Sequence, residues 1–168
     1  MFIRTAGARD IEAIRTLLTE TWHVTYDAIY GSERVAEITA DWFSAQALAR
    51  RLDMPRSEFL VADDGSRLGG VAFASADPTG KTVTLHQLYV HPDLQGRGIG
   101  GLLLDEVLES FFEAEKIRLE VEEANERAIA FYTASGFEPA GRTANCGKEQ
   151  SGMPALIMER KLTPSGVL

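Results

Sequence analysis

The sequence predicts a single α/β domain, with a mixed, mostly antiparallel central sheet flanked by helices. Three observations carry this expectation. The chain has 168 residues, 45% hydrophobic and 25% charged, which is the length and balance of one globular domain able to bury a core. Its apolar periodicity changes along the chain: helical in the first third, alternating between residues 58 and 90, then helix, strand and helix. A glycine-rich turn at residues 95–101 joins the last alternating segment to a strongly amphipathic stretch.

Phe2-Ile3-Arg4-Thr5 is short enough for an edge strand, and Asp10 is placed to cap a helix carrying Ile11, Ile14, Leu17 and Leu18 at helical spacing. Trp22, Tyr26, Ile29 and Tyr30 continue the stripe, and residues 41–52 repeat a helical pattern through Trp42, Ala45 and Leu48. Residues 59–62, 70–74 and 83–90 then read as strands. Asp63-Asp64-Gly65-Ser66 and Asp77-Pro78-Thr79-Gly80 are turn clusters at hairpin spacing, which makes this block an antiparallel meander. Leu102, Leu103, Val107, Leu108 and Phe111 predict a helix over 98–114, followed by a strand at 117–121 and a helix at about 126–135 that Gly136 ends. Two roughly parallel strands joined by a crossover helix result. Phe137-Glu138-Pro139 and Ala155-Leu156-Ile157-Met158 supply a terminal strand pair around a polar loop, so the domain is expected at 1–162 with a frayed tail at 163–168.

Lys and Arg number 17 against 25 Asp and Glu, a net charge of −8 with a pI near 4.9. The positive field that nucleic acid requires is absent overall, so a nucleic-acid partner is not expected. The single cysteine, Cys146, excludes disulfide scaffolds and multi-thiolate metal sites. In its polar run at 143–148 it reads as a loop thiol without a role, and no metal-ligand spacing is visible. Met1-Phe2-Ile3-Arg4 leads into a charged segment with no apolar run of leader type, and no stretch reaches the roughly 20 apolar residues of a membrane span. A cytoplasmic protein with no membrane partner is the expectation.

The glycines in Gln95-Gly96-Arg97-Gly98-Ile99-Gly100-Gly101 let backbone N–H groups converge at a helix N-terminus, where partial positive charge favours a phosphate or diphosphate. Residues 96–101 also satisfy G-x-G-x-x-G, with Glu120 and Glu122 about 20 residues further on, so a dinucleotide-binding oxidoreductase has to be weighed. His91-Pro92-Asp93-Leu94-Gln95 intervene after the strand, however, and a meander precedes it, both against that fold. Gly80-Lys81-Thr82 imitates the end of a P-loop but lacks the earlier glycine, since Ser75 stands there, and it precedes a strand.

Leu88-Tyr89-Val90-His91-Pro92-Asp93-Leu94-Gln95-Gly96-Arg97-Gly98-Ile99-Gly100 resembles the acetyl-CoA motif of the GCN5-related N-acetyltransferases, Gln/Arg-x-x-Gly-x-Gly/Ala, with Gln95, Gly98 and Gly100 filling it. A second block resembling the same family runs from Leu119-Glu120-Val121 through Asn125 and Phe131-Tyr132 to Ser135-Gly136-Phe137. The resemblance implies this family's fold, with splayed central strands, and an N-acetyltransferase that moves an acetyl group from acetyl-CoA to a small-molecule or peptide amine by direct attack. It implies no metal, and homodimers are common in the family. A non-catalytic acyl-CoA sensor or scaffold is the alternative from another class.

By the same resemblance, main-chain groups of Leu88, Tyr89 and Val90 run beside the pantetheine arm, with the Val90 N–H toward the thioester carbonyl. The amides of Gln95, Gly96, Arg97, Gly98, Ile99, Gly100 and Gly101 take the diphosphate. The family places an asparagine and a tyrosine at the positions of Asn125 and Tyr132, the first on the pantetheine arm and the second as proton donor to the leaving sulfur. Asn125 reads equally as a helix N-cap, and Tyr132 has a plain core reading beside Phe131. Glu120 is the general-base candidate, at the place where ribosomal-protein-type N-terminal acetyltransferases carry a glutamate, with Glu122 competing on the same strand face. His86 reads as a strand side chain and His91 as part of the turn before Pro92. From Leu17 to Ser44 the acids Glu20, Asp27, Glu33, Glu37 and Asp41 face a single cation, Arg34. Either this acidic surface selects a cationic, polyamine-like acceptor, or it is a solvated face over a core of Trp22, Tyr26 and Tyr30.

Overall fold

The computed structural model describes residues 1–146 and 152–163. Its strands are β1 (Phe2–Thr5), β2 (Ser57–Asp63), β3 (Leu68–Ala76), β4 (Thr82–Val90), β5 (Lys116–Glu122), β6 (Glu138–Thr143) and β7 (Ala155–Lys161), and its helices are α1 (Ile11–Tyr30), α2 (Ser32–Trp42), α3 (Ala45–Leu52), α4 (Ile99–Ser110) and α5 (Glu126–Ala134). The strands form one seven-stranded mixed sheet in the order β1-β2-β3-β4-β5-β7-β6. The chain divides into two units, Met1–Phe73 with Gln87–Ser110 and Ala74–His86 with Phe111–Leu168.

In the first unit β1 lies antiparallel to β2, from Phe2↔Asp63 to Thr5↔Leu60. Arg4 closes this corner, binding Asp10 with Nη1 and Nη2 at 2.9 and 2.8 Å and Asp63 with Nε at 2.9 Å. Asp10 therefore does not cap α1 with its side chain; its carboxylate takes Arg4 and the Gly7 N–H at 2.8 Å, ahead of a 3₁₀ turn at Ala8–Asp10. The guanidinium holds that carboxyl below the usual carboxylate range.

Helix α1 buries Ile14, Leu17, Leu18, Trp22 and Tyr26 on one stripe. The Trp22 ring lies 4.5 Å from Tyr26, 5.3 Å from Trp42 and 5.9 Å from Phe43, so this cluster is core. The helical pattern expected over 41–52 breaks at Phe43: α2 ends at Trp42, and the Ser44 hydroxyl accepts the Ala47 N–H at 3.1 Å to start α3. From α3 the guanidinium of Arg51 reaches the side-chain oxygen of buried Gln87 at 2.9 Å and lies over the rings of Phe43 and Phe73, fastening β4 to the helical layer.

In the second unit β5 is parallel to β4 from Thr82↔Lys116 to Leu85↔Leu119 and antiparallel to β7 along its whole length. Strand β6 pairs with β7 through a register shift between Pro139 and Gly141. Ile117, Leu119, Val121, Phe137, Met153 and Met158 are buried in this unit, as is Tyr132 of α5, whose ring lies 5.5 Å from that of Phe137. The expected tail falls, from residue 164 on, outside the described residues, as does the stretch 147–151.

Candidate functional site

The residues singled out at 88–101 belong to the first unit, and Glu120, Asn125 and Tyr132 to the second. Along β4 the alternation of buried Val83, Leu85 and Gln87 gives way to three half-buried residues, Leu88, Tyr89 and Val90. The end of the strand is seated against β3 by glycines. His91 donates its N–H to the Gly69 carbonyl at 2.8 Å, and a Cβ on Gly70 would stand 3.0 Å from the Tyr89 carbonyl oxygen and 2.9 Å from Leu103. Only a residue without a side chain lets that backbone approach so closely. The Gly69-Gly70 pair at the start of β3 is a visible signal in the sequence, but nothing local to it tells what it faces.

Beyond β4 the chain makes a 3₁₀ turn at Pro92–Leu94, which the His91 ring caps by accepting the Asp93 N–H on Nδ1 at 3.2 Å. Gln95 folds its side chain back, and its Nε2 donates to the Val90 carbonyl at 3.1 Å. Gly96 and Gly98 have φ of 79° and 84°, left-handed values that favour glycine, and a Cβ built on either would meet no atom within 4 Å. The first helical bond of α4 runs from Leu102 N to Gly98 O at 3.1 Å. The N–H groups of Ile99, Gly100 and Gly101 therefore have no acceptor within the helix and stand at its positive end. Buried Ile99 anchors the turn, while Gly96, Arg97 and Gly98 are exposed. The open space at Gly96 and Gly98, beside unsatisfied N–H groups, fits a diphosphate. A dinucleotide fold is not present: the 3₁₀ turn separates strand from glycines, and β5, which follows α4, pairs antiparallel with β7.

In the second unit Asn125 caps α5, its Oδ1 accepting the Ala128 N–H at 3.1 Å. Tyr132 stands two turns further on, buried, with its ring 5.3 Å from Phe131 and 5.5 Å from Phe137. Burial pushes its phenol above the ordinary tyrosine value, so the hydroxyl is a neutral donor. Glu120 and Glu122, which share a strand face, part company here: Glu120 is exposed, whereas Glu122 is 4% exposed. Cys146 lies in the loop after β6, as expected, but is buried there; burial first, then the charge and hydrogen bond of Glu122, push its thiol upward.

His86 is exposed on β4, its Nε2 2.7 Å from the Ser75 hydroxyl. In the first unit, a cleft of about 360 Å³ is lined by Thr19, Glu20, His23, Val24, His91, Pro92 and Asp93. Among the described residues no group of three or more His, Cys, Asp or Glu is arranged to hold a metal ion, and no helix is long and apolar enough to cross a membrane.

Residues 11–137 match the model of the Acetyltransferase (GNAT) family. The N-alpha-acetyltransferase RimI of Mycobacterium tuberculosis (strain ATCC 25618 / H37Rv) is 33% identical over 120 residues, covering 66% of this chain and 74% of that protein. The mycothiol acetyltransferase of Jonesia denitrificans is 27% identical over 127 residues, 74% of this chain and 38% of that one. Among solved structures, the PaiA N-acetyltransferase from Thermoplasma acidophilum in complex with coenzyme A matches with a TM-score of 0.83 at 24% identity, over 96% of this chain and 98% of the other.

Proposed function

Since the chain belongs to the GNAT acetyltransferase family, we propose that it transfers the acetyl group of acetyl-CoA to a cationic primary amine of a small molecule or peptide. The observation that carries this reading is the turn at Gly96–Gly101, where left-handed glycines, open space and unsatisfied helix N–H groups meet at the end of a half-buried strand. Acetyl-CoA supplies the activated acetyl group. The chain's own residues do the rest: amides from Gln95 to Gly101 bind the diphosphate, and main-chain groups of Leu88, Tyr89 and Val90 hold the pantetheine arm.

Glu120 takes a proton from the acceptor's ammonium, freeing the neutral amine that attacks the thioester carbonyl, being the exposed carboxylate of its strand while Glu122 is buried against Cys146. Tyr132 returns a proton to the departing sulfur, a task suited to a hydroxyl that burial keeps protonated. Asn125 sets the start of α5, on which Tyr132 stands. Residues 1–162 act as one acetyltransferase domain in the cytoplasm. The cationic acceptor rests on the acids Asp27, Glu33, Glu37 and Asp41, Glu20 being held by His91, and the one Lys or Arg among them, Arg34, lies over the Tyr30 ring. Mycothiol and ribosomal-protein acetyltransferases occur among the relatives and neighbours. The test is therefore a panel of polyamines, Lys-bearing peptides and neutral amines with acetyl-CoA. Multiply charged amines should give the higher kcat/KM, with the advantage shrinking as salt rises. Equal rates at all salt concentrations would overturn the cationic acceptor.

A further inference from the structure

His91 is the first residue after β4, and all its polar groups are committed. Its N–H donates to Gly69 O at 2.8 Å, and its carbonyl accepts the Leu94 N–H at 2.8 Å. Its Nδ1 accepts the Asp93 N–H at 3.2 Å, and its Nε2 lies 3.0 Å from Glu20 Oε2 on α1. A ring nitrogen that accepts a backbone N–H carries no proton, so in the neutral ring the hydrogen sits on Nε2 and points to the Glu20 carboxylate. The imidazole is thereby held at two points, one on the turn and one on the helix. Its side chain is 18% exposed against 55% for Glu20. The other charged groups near it are Asp93, with Oδ2 3.8 Å from Nδ1, and His23 across the cleft, itself bound to Asp27 at 2.7 Å.

The turn that follows inherits this placement. Leu94 hangs on the His91 carbonyl, Gln95 returns its side chain to Val90, and Gly96 comes next. We propose that Glu20 is a positioning residue for the diphosphate turn: through the Nε2–H of His91 it fixes the ring that caps Pro92–Leu94, and so sets where the N–H groups of Gly96–Gly101 point. This rests on the reading of that turn as the CoA site. It also makes α1 and the turn one mechanical piece, so that a change at Glu20 is felt in cofactor affinity.

Four variants test it. Glu20→Gln keeps an acceptor for the Nε2–H, and Glu20→Ala does not. His91→Asn keeps a side-chain acceptor for the Asp93 N–H, as in an Asx turn, but is too short for Glu20. The fourth variant combines Glu20→Ala with His91→Asn. Glu20→Ala and His91→Asn should each raise the Kd for CoA and the KM for acetyl-CoA about 3- to 10-fold, the size of one ordinary hydrogen bond lost from a partly exposed pair, with kcat unchanged. Glu20→Gln should stay within about twofold of wild type, and the double variant should be no worse than the singles. In the cofactor-free protein, amide hydrogen exchange over residues 94–102 should be faster in Glu20→Ala than in Glu20→Gln. Wild-type CoA binding combined with additive effects, or with unaltered exchange in Glu20→Ala, overturns the role of Glu20 alone. Altered exchange in a protein whose wild type binds no CoA overturns the diphosphate role together with the reading beneath it.

Discussion

Tyr132→Phe removes one oxygen and leaves the ring, so the structure separates its effects on stability and on rate. The ring keeps its edge-to-face contacts with Phe131 and Phe137 at 5.3 and 5.5 Å. Loss of the hydroxyl alone should change stability by about 1 kcal/mol or less, whereas Tyr132→Ala, which empties a buried site, should cost about 3–5 kcal/mol. A lost general acid lowers turnover about 10²- to 10⁴-fold, or roughly 2.7–5.5 kcal/mol of barrier at 1.36 kcal/mol per tenfold. Because burial raises the phenol above its usual value, the hydroxyl stays protonated through and beyond the ordinary range near 10. A proton donor of this kind gives no loss of kcat in that range as pH rises. The assay is thiol release at saturating acetyl-CoA across pH, with CoA affinity measured separately by calorimetry. The expected result is a Phe variant with near-wild-type thermal midpoint and CoA affinity and with kcat reduced at least a hundredfold. Full activity, or a kcat loss matched by an equal loss of CoA binding, would refute the role of Tyr132 as acid.

Gly98→Val places a branched side chain at φ 84° in the space proposed for the diphosphate; CoA affinity should fall far more than the thermal midpoint, as read by calorimetry beside a melting curve. Glu120→Gln should lower kcat about a hundredfold or more at unchanged CoA affinity, whereas Glu122→Gln, in the buried contact with Cys146, should show itself first as a lower melting temperature. Asp10 has its carboxyl held below the ordinary range by Arg4, so its contribution is complete above the unfolded-state value near 3.9 and is lost as pH falls through the folded value. Denaturant titrations should therefore find Asp10→Asn less stable than wild type at pH 7, by about 1–3 kcal/mol, with the gap closing toward pH 3.

Much of this fold was legible because its signals are local. Gln95 to Gly101 is readable as a turn since positive φ and a helix start leave a glycine pattern, and the strands around Asp63–Ser66 and Asp77–Gly80 are bracketed by residues that bond their own backbone, as Asp64 does to Ser66 and Arg67 at 2.8 Å. What escaped depends on partners distant in sequence or on a side chain with two uses. Asp10 looks like a cap until Arg4 is folded beside it across the β1–β2 corner. The break at Phe43-Ser44 hides because Trp42, Ala45 and Leu48 keep helical spacing across it, although the Ser44 cap is there to be read. Trp22 and Tyr26 could face a substrate or a core at the same spacing, and only the rings of Trp42 and Phe43 decide for the core. Glu120 and Glu122 are equivalent by alternation, and it is burial beside Cys146 that separates them.

Acetyl transfer itself is the most direct test: purified protein with acetyl-CoA and spermidine or a Lys-bearing peptide, free thiol and acetylated amine measured in the same reaction by a thiol reagent and mass spectrometry. One thiol should be released for each amine acetylated, at a rate that falls at least a hundredfold in Tyr132→Phe. Tight CoA binding with no acetylated amine across the whole amine panel, or thiol release that yields only acetate, would contradict the proposed acetyl transfer.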